Sequence, residues 1–122
     1  MRTTIRNCQL EIDSSAIEHN LGVIRQLAPH SKVMPVIKAN AYGHGVQQVI
    51  DACDAADGFA VAMVSEAVAL REAGVDRPVM VFHGCATPEE VALAAEHDLQ
   101  VAVHSEHQIA LLENWQGEPL AV

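Results

Sequence analysis

The sequence predicts an α/β fold built on a parallel sheet, a partial (β/α)8 TIM barrel, and three observations carry that prediction. Short apolar runs bounded by turn residues open near residues 33, 59, 79, 99 and 120, the pattern of buried strands. Helix-start signals and helical spacing fill the intervals, and strand–helix alternation makes a sheet parallel with right-handed crossovers. The interval of about 20–26 residues is the unit size of an α/β barrel, of which a complete example needs roughly 250 residues. The 122 residues hold four βα units and the beginning of a fifth strand.

Taken in order, Arg6 to Ile12 alternates Cys8, Leu10 and Ile12 with Asn7, Gln9 and Glu11, a half-buried opening strand. Ser15-Ala16-Ile17-Glu18 fits a capping box, with Ile17, Leu21, Ile24 and Ala28 on one face of the helix that follows. Pro29 ends that helix. Val33 to Lys38 is the next strand, with Pro35 as a defect because proline cannot donate to a central ladder. Val46, Val49, Ile50 and Cys53 stand at i, i+3, i+4 and i+7, an amphipathic helix closed by Ala55-Ala56-Asp57-Gly58.

Phe59 to Val64 is a near-continuous apolar run, as in a strand covered on both faces. Ser65 is the expected cap of a helix carrying Ala67, Leu70 and Ala73, with Gly74 as its left-handed C′ residue. Val79 to Phe82 is a strand, and Thr87-Pro88-Glu89-Glu90 starts a helix with a threonine cap and proline at the first position. Leu99 to Val103 follows as a strand. Ser105-Glu106-His107-Gln108 caps the last helix, which turns Ile109, Leu112 and Trp115 inward and ends at Gly117. Pro119 to Val122 begins one more strand.

Composition narrows function. Half the residues are hydrophobic and 19% charged, a globular balance. Aromatics are limited to Tyr42, Phe59, Phe82 and Trp115, so Ala and Val fill an interior in which helices lie close on the sheet. The formal charge of −9 disfavours nucleic acid and anionic membranes, since no basic stripe releases counterions. No segment reaches membrane-spanning length and no leader pattern opens the chain. Cys8, Cys53 and Cys85 are odd in number and far apart, which argues against a disulfide framework. A cytoplasmic protein is expected.

The chemistry is concentrated in Val33-Met34-Pro35-Val36-Ile37-Lys38-Ala39-Asn40-Ala41-Tyr42-Gly43-His44-Gly45. Lys38 stands at the carboxyl end of the expected strand, where α/β folds place their ligands. Partial desolvation there makes an amine a usable nucleophile toward a carbonyl. Lys32, at the start of the same strand, lacks that setting. The only tyrosine, Tyr42, follows four residues after Lys38. Gly43 and Gly45 permit positive φ or close backbone approach.

From Val36 to Gly45 this stretch resembles the cofactor-attachment motif of alanine racemases, fold-type III enzymes, without departure. The resemblance implies that Lys38 attaches pyridoxal 5′-phosphate (PLP) covalently and is one of two catalytic bases, and that Tyr42 bonds the cofactor phosphate. It also implies that Phe82 lines the cofactor pocket, that alanine is the substrate and that the full-length enzyme is a homodimer. The chain then corresponds to the amino-terminal third or so of such an enzyme. Residues 1–12 would pair with a carboxyl-terminal β domain, residues 13–122 would be the amino-terminal half of a PLP-binding barrel, and the fragment alone would be inactive. The second base, a tyrosine of the partner subunit in that family, and the phosphate loops would lie outside these residues. Alternatives are a fold-type III decarboxylase or another racemase, a non-enzymatic PLP-binding homeostasis barrel, and a self-associating half-barrel.

Other candidates are weaker. His83-Gly84-Cys85 is expected on the rim without chemistry, because two ligands cannot close a metal site. His104 and His107 read as solvated, and His44 as a support of the cofactor loop. Cys8 and Cys53, with Met34, Met63 and Met80, are expected as core filler.

Overall fold

The computed structural model describes residues 9–122. The helices are α1 (Ser14–Leu27), α2 (Lys38–Tyr42), α3 (Val46–Ala52), α4 (Val64–Glu72), α5 (Pro88–Glu96) and α6 (Glu106–Glu113). The strands β1 (Phe59–Val61), β2 (Val79–Val81) and β3 (Gln100–Val101) alternate with the last four of them. All three strands are parallel and ordered β1-β2-β3, in register Phe59↔Val79 and Met80↔Gln100. Isolated parallel bridges extend the series on both sides, Val36 with Ala60 and Gln100 with Ala121. Five sequential chain segments therefore lie side by side as βα order requires. Phe59, Val79, Val81, Ala67 and Ala94 have no exposed surface, so β1 and β2 are packed between layers.

Several boundaries differ from the expectations. The opening strand at Arg6 to Ile12 falls largely outside the described residues, and residues 9–12 pair with nothing among those described. The first cap is Asp13, not Ser15: its carboxylate accepts from Ala16 N at 3.1 Å and from the Ser15 hydroxyl at 2.6 Å. Leu21 is buried but Ile24 is 48% exposed, because a cleft of about 290 Å³ separates part of α1 from Val33, Met34 and Pro35.

The strand expected at Val33 to Lys38 shrinks to the Val36 bridge. Its rungs are Asp57 N to Val33 O, Ala60 N to Pro35 O and Ile37 N to Ala60 O. Pro35 has no N–H for the rung between the first two, which interrupts the ladder. Lys38 is consequently the first residue of α2 rather than the last of a strand. The cap of α4 is Met63, two residues before Ser65, and Met63 is exposed, not core. From α6 it is Gln108 that is buried, while Ile109 is 48% exposed. The Thr87 and Ser105 caps form as expected, accepting from Glu90 N and Gln108 N, and Gly74 takes φ 91° after α4.

The amino-terminal ends of the strands are tied by arginines. Arg71 donates to the carbonyls of His97, Val75, Arg77 and Asp98 at 2.6–2.9 Å. Arg77 donates to Cys53, Asp54 and Ala56 carbonyls and lies 4.6 Å from the Phe59 ring centroid, a cation–π distance. Arg25 donates to the Ala55 carbonyl and pairs with Asp57 at 2.9 Å. These clamps leave the opposite rim to the loops that carry Lys38, His83 and His104.

Candidate functional site

The rim begins with an unusual backbone. Ala39, Asn40, Ala41 and Tyr42 have φ of 50°, 55°, 53° and 57°, so α2 is a left-handed helical turn made of residues with a Cβ. Such a conformation costs about 1–2 kcal/mol per residue and persists only where its surroundings impose it. The sequence suggested positive φ at Gly43 and Gly45, which take 85° and 95°; of the four residues before them only Asn40 is of a type that enters this region readily.

Hydrogen bonds hold the turn along its length. Ala41 N donates to Ile37 O at 3.0 Å, and Gly43 N and Gly45 N both donate to Asn40 O at 3.1 Å. The Asn40 side-chain oxygen accepts from Val46 N at 2.9 Å, starting α3. His44 Nδ1 is 2.8 Å from the Ala41 carbonyl; a carbonyl only accepts, so Nδ1 bears the proton. His44 thus supports the loop, as expected of it.

Left-handed winding sets Lys38 and Tyr42 on the same turn. Lys38 is half-buried, Tyr42 is 59% exposed, and Nζ lies 5.8 Å from the Tyr42 ring centroid. The structure thus brings together the two residues singled out in the sequence. Among the described residues the ion pair is Arg25–Asp57, so no carboxylate there neutralises Lys38.

Glu66, which the sequence did not single out, lies behind the turn. One carboxylate oxygen accepts from Ala39 N at 2.7 Å. The other accepts from Ala62 N and Met63 N, both at 2.9 Å. Burial pushes this carboxyl up, but the donors Ala39, Met63 and Ala62 and the neighbouring His83 outweigh it and leave the acid below the ordinary glutamate value. A cavity of about 200 Å³ lined by Ile37, Asn40, Val46, Ile50, Val61 and Glu66 backs the turn. Its spacing signal was local: Glu66 is the third residue of its helix, as Glu90 and Gln108 are of theirs, and each turns back to a loop N–H, of Met63, Ala86 and His104 respectively.

Among the described residues the remaining rim carries Phe82, three histidines and a buried cysteine. Phe82 is 44% exposed and is available to line a pocket. His83 Nδ1 lies 3.2 Å from Met63 Sδ. His104 Nε2 and His107 Nε2 approach the carbonyls of His83 and Ala86. Cys85 is buried, and burial, with Glu90 nearby, pushes its thiol up to about 11, which removes it as a thiolate nucleophile at neutral pH. Cys53 is buried as expected; Cys8 lies outside the described residues. Among the described residues no cluster of His, Cys, Asp and Glu could hold a metal, and no helix is long and apolar enough to cross a membrane.

The family model for the alanine racemase N-terminal domain matches residues 12–122. An alanine racemase from Nitrosococcus oceani is 50% identical over 105 residues, covering 86% of this chain and 30% of that protein. The crystal structure of alanine racemase from Corynebacterium glutamicum superposes with a TM-score of 0.80 at 37% identity, covering 90% of this chain and 32% of that one. A histidine racemase from Leuconostoc mesenteroides gives 0.68 at 35% identity, covering 80% of this chain and 27% of its own. The chain thus spans about 30% of the length of the curated relatives it matches. With that match, the partial α/β barrel and its lysine-bearing turn find their place: the chain belongs to the alanine racemase N-terminal domain family.

Proposed function

We propose that this chain supplies the PLP-bearing lysine of an amino-acid racemase that interconverts L- and D-alanine. The observation that carries the reading is the half-buried Lys38 at the head of a left-handed turn, with Tyr42 on the same turn. The donor set fits the cofactor: a primary amine suits its aldehyde, and an exposed phenol suits its phosphate. Lys38 would hold the first and Tyr42 the second. When bound, PLP makes the Cα–H bond of an attached amino acid acidic by drawing its electrons away.

The chain's own contribution is positional. The turn fixes where the Lys38 amine stands, and that amine takes or returns a proton on one face of the substrate carbon. Racemisation also needs a base on the other face, because one base returns the proton to the side it left. The resemblance makes that second base a tyrosine of the partner subunit; Tyr42, the only tyrosine here, is assigned to the phosphate, so in this reading the second base comes from elsewhere in the assembly. In this reading residues 1–12 serve a carboxyl-terminal β domain, residues 13–122 form the first half of the barrel, and the working enzyme is a cytoplasmic homodimer.

The likeness to a histidine racemase favours a second reading, the same chemistry on another amino acid. Borohydride reduction after incubation with PLP tests the shared part. A pyridoxyl group mapped to Lys38 supports it; a label confined to other residues, or PLP uptake undiminished in Lys38→Ala, overturns it.

A further inference from the structure

Lys38 and Ala39 share a peptide bond whose N–H is held by Glu66 Oε1 at 2.7 Å. The same carboxylate is anchored through its other oxygen to Ala62 N and Met63 N, immediately beyond the end of β1. One side chain thus joins the backbone next to the lysine to the rim of the neighbouring strand. Both oxygens are engaged and all their partners are donors, which suits a carboxylate and no other side chain of that length. At the far end of the turn, Asn40 and Val46 make the complementary anchor.

We propose that Glu66 is a positioning residue for Lys38, setting where its amine stands through the Ala39 peptide rather than by contact with cofactor or substrate. The proposal rests on Lys38 as the cofactor lysine. Glu66→Gln isolates the effect, because the amide keeps the size yet turns an NH2 toward an N–H. Glu90→Gln is the control: Glu90 is the corresponding residue of α5, and among the described residues its carboxylate accepts from Ala86 N alone.

Lys32 and Lys38 are the only lysines, and Lys32 is exposed, so one serves as the internal reference for the other. The 122-residue chain is incubated with PLP, reduced with borohydride, and the Lys38-to-Lys32 labelling ratio read by peptide mass. In Glu66→Gln the ratio falls about tenfold or more, and in Glu90→Gln it does not change. An unchanged ratio in Glu66→Gln overturns the proposal. A second readout needs neither PLP nor a variant. In the wild-type chain the amide shift of Ala39 follows the same acid titration as those of Ala62 and Met63, because one carboxylate serves all three. An Ala39 shift indifferent to that titration overturns the proposal as well. Absence of label on wild-type Lys38 with the three amides titrating together counts against the cofactor assignment and leaves the Glu66 clamp standing.

Discussion

The side-chain amide of Gln108 donates to the carbonyl of His83 at 2.6 Å while its oxygen accepts from His104 N at 2.8 Å. This joins the loops after β2 and β3 as Glu66 joins those after the Val36 bridge and β1. The partners here are one carbonyl and one N–H, so an amide is required where Glu66 required a carboxylate. Gln108→Glu should destabilise the fold, because a carboxylate cannot donate and would face the His83 carbonyl. Gln108→Ala should cost about 1–3 kcal/mol, the usual result of leaving buried groups unpaired. Urea unfolding midpoints of the two variants check both.

Gly84 and Gly43 separate space from conformation. Both have positive φ, 66° and 85°. A Cβ at Gly84 would collide with the Ala102 carbonyl oxygen, while at Gly43 it would meet nothing within 4 Å. Gly43→Ala should therefore cost about 1–2 kcal/mol, the left-handed penalty alone. Gly84→Ala should cost clearly more, since backbone must shift. Thermal unfolding of the pair reads the difference.

Acid should weaken the fold below the ordinary carboxylate range. Val33 N holds the Asp57 carboxyl down; partial burial opposes this, and Arg25 and Lys32 add to the lowering. Glu66 is also lowered. For both groups the unfolded chain binds more protons between the two pKa values, so stability is full above the unfolded values of about 4 and falls as pH drops through the folded ones. Asp57→Asn should flatten that dependence; a slope in denaturant midpoint below pH 4 unchanged by Asp57→Asn and Glu66→Gln together contradicts the assignment.

Cys85 should resist alkylation. With its thiol raised to about 11, the thiolate fraction at pH 8 is roughly two hundred-fold below that of an ordinary cysteine. Iodoacetamide labelling followed by peptide mass measurement should find Cys85 modified only on unfolding.

Much of this architecture is readable from local chemistry. Thr87, Ser105 and Gly74 do what their residue types do at helix ends, and the apolar runs at Phe59 and Val79 are strands because both faces are covered. The lysine and tyrosine were legible as a motif. What escaped is what depends on distant partners. Met63 ends up as a cap because Glu66 accepts its N–H, and Ala39 to Tyr42 wind left-handed because Glu66, Asn40 and the carbonyl of Ile37 hold them there. No intrinsic preference of alanine or tyrosine favours that state, so no local pattern could have marked it.

The bond between Ala39 and Glu66 spans 27 residues, and its direction has a consequence for synthesis. On a ribosome the lysine leaves the tunnel well before its keeper, so the mirror-handed coil is at first unfavoured and the segment samples ordinary conformations. It locks only when β1 and the opening of α4 have arrived. On the positioning role proposed for Glu66, the Lys38 side chain is thus set in place late, by a part of the chain translated after it.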